Sequence, residues 1–218
     1  MERMITKETL SENLYKTLKE DILEQRIKCG QKITLQELKD RFHVSHTPIR
    51  EALTRLIDDS LMVYYSNVGV KVVEIRHRDV AEIFEFSRDL TALALRNILR
   101  GGGRETALQE LRRNLSESRA AVEAGNTEVW STCSAEFYEL LFRYADNSKL
   151  TGAYAKMSAL MRLAYNRYGC REDPRALLAG HEAIYAALRS GSEAAAQAAA
   201  DSHFARDIIE WSRSLEEE

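Results

Sequence analysis

The chain has 218 residues, 44% of them hydrophobic and 30% charged, with a formal net charge of −3. Such a composition suits a globular protein of one large or two small domains and excludes a low-complexity or collagen-like chain. No run approaches the roughly 18 apolar residues of a membrane span, and the N-terminus has no apolar signal core, so a cytoplasmic protein with no membrane partner is expected.

Two prolines and ten glycines are few breakers for this length, which favours long helices. Cys29, Cys133 and Cys170 are scattered and form no C-x-x-C pair, as fits a reducing compartment. Leu10, Leu14, Leu18 and Ile22 recur every four residues and predict a helix from about Thr6 to Gln25, stopped by the turn Lys28-Cys29-Gly30-Gln31. Thr34-x-x-Glu37 is a capping-box pattern that opens a second helix, with Leu35, Leu38 and Phe42 on its buried side. His43-Val44 make a turn. Ser45 is placed to cap a third helix, with Pro48 in its first turn and Ile49, Leu53, Leu56 and Ile57 facing the core. Leu61 to Tyr65 and Val70 to Val73 read as a hairpin turning through Asn67-Val68-Gly69. Helix, turn, helix and a two-stranded wing are the order of a winged helix-turn-helix, a unit that places one helix in the DNA major groove.

Strand signals end at Glu74-Ile75. Five or six helical segments follow, roughly 78–99, 105–124, 127–145, 148–168, 174–190 and 192–215, punctuated by short glycine-, asparagine- or aspartate-containing loops. The fold class expected is mainly α: a winged helix-turn-helix over residues 1–75, then an antiparallel all-helical bundle over 76–218. Gly101-Gly102-Gly103 lacks the preceding strand and the spacing of a phosphate-binding fingerprint, so it is a loop. Residues 1–75 hold 12 Lys and Arg against 12 Asp and Glu. Net charge therefore does not predict nucleic-acid binding, and the placement of individual cations has to do so.

A major-groove helix reads bases from its N-terminal side chains, here Ser45, His46, Thr47 and, one turn on, Arg50. The Ser45 and Thr47 hydroxyls suit phosphate oxygens, and Arg50 can hold a guanine edge bidentately or clamp a phosphate. Arg55 and Lys71 are more peripheral phosphate candidates, and Asn67 at the wing tip a minor-groove one. The run Val44-Ser45-x-Thr47-Pro48-Ile49-Arg50-Glu51-Ala52-Leu53-x-x-Leu56 resembles the DNA-binding motif of the GntR family of bacterial transcription regulators. That resemblance implies DNA contact by Ser45, Thr47, Arg50 and the wing around Gly69. It also exposes two departures: His46 and Gln36 stand where the family usually or often has Arg. Gln36 can still read adenine.

The helical half resembles the FadR-type subgroup, with an FCD-like C-terminal domain that senses a ligand. His181-Glu182-x-Ile184-x-x-Ala187-Leu188 and the later His203 carry that resemblance. Many members hold a divalent metal between an Asp-x-x-Phe-His helix and two later histidines. Ser134-Ala135-Glu136-Phe137-Tyr138 takes that segment's place here, so Ser134 and Tyr138 replace the Asp and the first His. Hydroxyls are poor ligands for zinc or manganese, which leaves His181 and His203 as the only metal candidates. No cofactor is expected, with a degraded divalent-metal site as the alternative. The competing readings are a polar pocket in which Ser134, Tyr138, His181 and His203 bond an effector directly, or histidines satisfied within the core. The family's effector-pairing arginines fall nearest to Arg88 (Ser87 holds the expected register) and Arg162, with Asn166 one turn further. Val80, Ile83, Phe84 and Ala94 are candidates for a homodimer interface.

The function expected is a ligand-responsive, homodimeric regulator, by family default a repressor, that binds double-stranded operator DNA and a small carboxylate effector. The alternatives are a regulator answering to acyl-CoA and a metal-dependent enzyme on a helical bundle. The missing Asp and His, and the lack of a nucleophile–base motif, argue against the enzyme.

Overall fold

A computed structural model describes residues 9–65, 69–168 and 173–213. The chain divides into two compact units: Met1–Arg76 with Ala159–Cys170, and His77–Ser158 with Arg171–Glu218.

In the first unit, α1 (Leu10–Leu23) begins at Thr9, whose hydroxyl accepts from the Glu12 amide at 3.2 Å. The start lies later than the periodicity suggests, because Thr9 supplies the cap. Gln25, at φ 56°, leaves the helical region just after the helix. Next, α2 (Leu35–Phe42) has the full capping box: Thr34 accepts from the Glu37 amide, and the Glu37 carboxylate accepts from the Thr34 amide at 2.7 Å. His43, at φ 53°, turns the chain into α3 (His46–Asp58). The sheet has order β1-β3-β2, with β1 (Lys32–Ile33), β2 (Met62–Tyr65) and β3 (Gly69–Val72), all neighbours antiparallel. Strand β1 has no sequence signal. Two residues become a strand only by pairing with β3.

Ionic contacts run from α1 to both helices of the turn. Asp21 is buried and bonded by Arg26 at 2.6 Å and by Arg41 of α2 at 2.5 Å. Burial alone would raise its carboxyl, and the two guanidinium hydrogen bonds overcome that and hold it below the usual range. Asp59, at the end of α3, accepts from Tyr15 at 2.5 Å and from Lys19 at 2.8 Å. Leu14, Leu18 and Ile22 of α1 bury against a core with Ile49, Leu53 and Leu56 of α3.

In the second unit, α4 (His77–Arg100), α5 (Arg104–Glu123), α6 (Thr127–Tyr144), α8 (Pro174–Ser190) and α9 (Glu193–Arg213) form the bundle. Helix α4 packs on α9, α5 on α6 and α8, and α8 on α9. The helix α7 (Ser148–Tyr168) contributes its first half here and the residues from Ala159 to the first unit. Asn126, Asp173 and Gly191 cap α6, α8 and the end of α8 as their residue types dictate. Val80, Phe84 and Ala94 are core residues, at most 2% exposed, and so do not supply an outer face; Phe86 is the exposed aromatic of α4.

Candidate functional site

The start of α3 is open. Ser45, His46, Thr47 and Arg50 are all exposed, and Arg50 has no ion-pair partner among the described residues. Ser45 occupies the N-cap position, yet its hydroxyl makes no capping hydrogen bond. The capping expectation therefore holds for the backbone only, and the exposed hydroxyl stands at the end of α3 whose first amides suit a phosphate. A surface hollow lined by Lys39, Asp40, His43, Val44 and Ser45 adjoins this end. Gln36 is exposed, with its amide donating to Asp40 at 2.7 Å, a surface bond that a base edge can displace.

Arg55 does not fit the phosphate role expected of it. Its guanidinium is hydrogen-bonded to Glu12 and lies 3.9 Å from the Tyr15 ring centroid, so its charge is spent on holding α3 to α1. Asn67 lies outside the described residues. Gly69 opens β3 at φ +98°, a conformation that favours glycine.

In the bundle, three of the expected ligand residues converge. Tyr138 of α6 is hydrogen-bonded to Nε2 of His203 on α9. His181 of α8 lies 5.4 Å from His203 and 5.3 Å from Tyr138, ring centre to ring centre. Its imidazole is stacked on Phe137 at 4.2 Å, with Trp130 beyond at 5.9 Å. His181 is fully buried, and neither ring nitrogen has a hydrogen-bond partner. Burial, and then the neighbouring His203, push its pKa down to about 3, so the ring is neutral at pH 7: one donor and one acceptor, both unmet. Tyr154 of α7 stacks on Tyr138 at 5.5 Å and on Phe142 at 4.0 Å.

Other expected members lie elsewhere. Ser134 is half-buried one turn before Tyr138 on α6. Ser87 is buried and spends its hydroxyl on the Ile83 carbonyl. Arg88 pairs with Asp89 at 2.8 Å and with Asp201 at 3.7 Å, so it is neutralised by acids. Arg162 and Asn166 belong to the first unit. Arg162 bonds Glu20 at 2.7 Å and also Glu24, and Asn166 donates to the Leu23 carbonyl at 2.8 Å. Both are used within that unit, where this face of α7 is turned to α1.

The donor set does not fit a divalent metal. The Tyr138 phenol occupies the His203 nitrogen that would turn to an ion, and no three His, Cys, Asp or Glu side chains converge among the described residues. Gly180, missed in the sequence, shapes the cluster. A Cβ there would stand 2.0 Å from His203 Nδ1, so only glycine lets this imidazole lie on α8. The available signal was a glycine inside a helix, where it costs roughly 1 kcal/mol against alanine and so marks a close approach.

Residues 10–72 match bacterial regulatory proteins of the gntR family, and residues 82–206 match the FCD domain. The chain is similar to YdhC, an uncharacterized HTH-type transcriptional regulator of Bacillus subtilis (strain 168). Identity is 27% over 206 residues, which is 93% of this chain and 91% of that protein. Similarity to the HTH-type transcriptional repressor RspR of Escherichia coli (strain K12) is 25% over 210 residues, 96% of this chain and 91% of that one. Among solved structures, E. coli McbR/YncC superposes with a TM-score of 0.72 at 18% identity, covering 96% of this chain and all of that one, a likeness of fold.

Proposed function

Since the chain belongs to the GntR family of bacterial transcription regulators and carries its FCD domain, we propose that it is a cytoplasmic homodimeric repressor answering to a small carboxylate metabolite without a metal. It is a DNA-binding regulator rather than an enzyme, as its relatives are. No helix among the described residues is long and apolar enough to cross a membrane. Similarity to RspR supports repression. The observation that carries the effector reading is the buried His181 imidazole with both nitrogens unmet beside the Tyr138–His203 pair. Natural cores rarely leave such groups orphaned, because each costs roughly 1–3 kcal/mol, so a ligand that bonds them recovers that cost. A carboxylate accepts from a phenol and an imidazole N–H at once.

Thermal unfolding of the full chain tests this against a panel of three- to six-carbon mono- and dicarboxylates and against zinc and manganese. At least one acid is expected to raise Tm, since saturation at a hundredfold over Kd contributes about 2.7 kcal/mol. Tyr138→Phe, His203→Ala and Gly180→Ala are expected to abolish the rise. Zinc is expected to leave the natural chain unshifted and to stabilise a Ser134→Asp/Tyr138→His variant, which restores an i, i+4 ligand pair. A large zinc shift in the natural chain that disappears in His181→Ala would overturn the metal-free reading.

A further inference from the structure

A carboxylate meets only half of what His181 lacks. The imidazole is fully buried, and neither Nδ1 nor Nε2 has a hydrogen-bond partner. The ring is neutral at pH 7, so one nitrogen is an N–H donor and the other a lone-pair acceptor. An ionised carboxylate only accepts, so it can take the N–H while the second nitrogen stays unmet. The Tyr138 phenol is bonded to His203 Nε2 rather than to His181. The missing donor has to arrive with the effector, as an ammonium or as a hydroxyl. An ammonium needs an acid, and the acids nearest in sequence are bonded elsewhere: Glu182 pairs with Arg119, and Glu136 accepts from Asn114 at 3.2 Å. The titratable group that acts on His181 is His203, a base. A buried cation without a partner is costly, whereas a hydroxyl donates without bringing a charge.

The spacing of the two groups follows from the ring itself. Its nitrogens flank one carbon and aim their bonds apart, so two partners at hydrogen-bond distance lie about 7 Å from each other. The hydroxyl of a 2-hydroxy acid is too close to its own carboxylate to span that gap. A hydroxyl at the far end of an acid of roughly four to six carbons reaches it. Resting on the carboxylate reading above, we infer that His181 is the specificity-determining residue of the bundle site and that the effector is a hydroxycarboxylate whose hydroxyl stands at the end remote from the carboxylate. The His181 N–H holds the carboxylate, and the other ring nitrogen accepts from the remote hydroxyl. Both polar atoms of the buried ring are then satisfied by one molecule, which a simple mono- or dicarboxylate cannot do.

Thermal unfolding of the full chain, titrated with acids of one chain length, tests the donor and the spacing separately. The probes are pentanoate, 5-hydroxypentanoate, 2-hydroxypentanoate and pentanedioate. The 5-hydroxy acid is expected to bind about 5- to 150-fold tighter than each of the others, the cost of leaving one buried polar atom unmet. Pentanedioate has the same length but offers a second acceptor where a donor is needed. In His181→Phe, which keeps a ring beside Phe137 and removes both nitrogens, the 5-hydroxy acid is expected to bind no better than pentanoate. His181→Gln keeps one donor and one acceptor and is expected to retain part of the preference. The acids are ranked on the natural chain, so a variant that fails to fold does not affect that comparison. Equal affinity for pentanoate and the 5-hydroxy acid, or tighter binding of pentanedioate, overturns the hydroxyl inference and leaves the carboxylate reading standing. A 2-hydroxy acid that matches the 5-hydroxy acid overturns the spacing, and a preference that survives in His181→Phe overturns the role of His181. An acid of the wider panel that binds while 5-hydroxypentanoate does not also overturns the inference. Should no acid at all shift Tm, the carboxylate reading falls, and the hydroxyl contact with it.

Discussion

His181 is where chemistry and stability pull in opposite directions. Its ring is fully buried, stacked on Phe137 and unbonded at both nitrogens. Burial and His203 hold its folded pKa at about 3, below the ordinary 6.5 that the unfolded chain would show. Between those values the unfolded state binds a proton that the folded state does not. Stability from this group is therefore fully present above pH 6.5 and is lost as pH falls toward 3, at up to about 1.4 kcal/mol per pH unit. Replacing both unmet polar atoms with carbon removes the penalty, so His181→Leu is expected to unfold at an equal or higher temperature at pH 7. It should also show a flatter fall in Tm between pH 6.5 and 4, and lose any effector-induced shift. Urea or thermal unfolding across that pH range measures all three. An acid limb as steep in His181→Leu as in the natural chain would mean that another group governs it.

At the scale of elements, α1 organises the first unit. Through Asp21 it holds Arg41 of α2, through Tyr15 and Lys19 it holds Asp59 at the end of α3, and through Glu12 it holds Arg55. The second half of α7 is tied to the same helix by Arg162 on Glu20 and Glu24 and by Asn166 on the Leu23 carbonyl. Arg162→Glu would set a third carboxylate beside two. The pair is about half-exposed, so the loss expected is about 1 kcal/mol, measured as a drop in Tm and as faster amide exchange in the last turn of α1. Glu20→Lys/Glu24→Lys in the same chain should restore most of it; no restoration would show that the bonds contribute nothing. The elements themselves were legible: the capping box at Thr34-Glu37, the four-residue stripe of α1 and the loop residues between bundle helices all act locally. Strand β1 was not legible, because Lys32-Ile33 is extended only where β3 pairs with it. Sequence patterns placed Tyr138, His181 and His203 in one cluster, since a motif fixes helix faces. They gave no sign of the pairing of Arg162 with Glu20 and Glu24, of Arg55 with Glu12, or of Asn166 with the Leu23 carbonyl, because such bonds depend on which group stands opposite, and opposite sides of a helix look alike until a neighbour is known.

For the molecule as a whole, the neutral sum of residues 1–75 becomes a constraint on how DNA is held. Many of the cations are consumed internally: Arg26 and Arg41 by Asp21, Lys19 by Asp59, Arg55 by Glu12. Lys28, Lys32, Lys39, Arg50 and Lys71 remain exposed or half-exposed with no ion-pair partner among the described residues. A protein with six to ten phosphate contacts loses about 10³ to 10⁵ in affinity between 50 and 200 mM salt, and the free cations among the described residues of one headpiece fall short of that number. On the proposed reading, specific affinity comes from two headpieces on one duplex, as the proposed homodimer would supply. Light scattering of the free protein is expected to give twice the chain mass. Hydroxyl-radical footprinting on a selected duplex is expected to show two protected half-sites, their centres one helical turn or a multiple of it apart, roughly 10 base pairs per turn. Arg50→Ala should weaken both half-sites together. A single protected half-site with full affinity at 200 mM salt would show that one headpiece suffices, and would require cations beyond those left free in this unit.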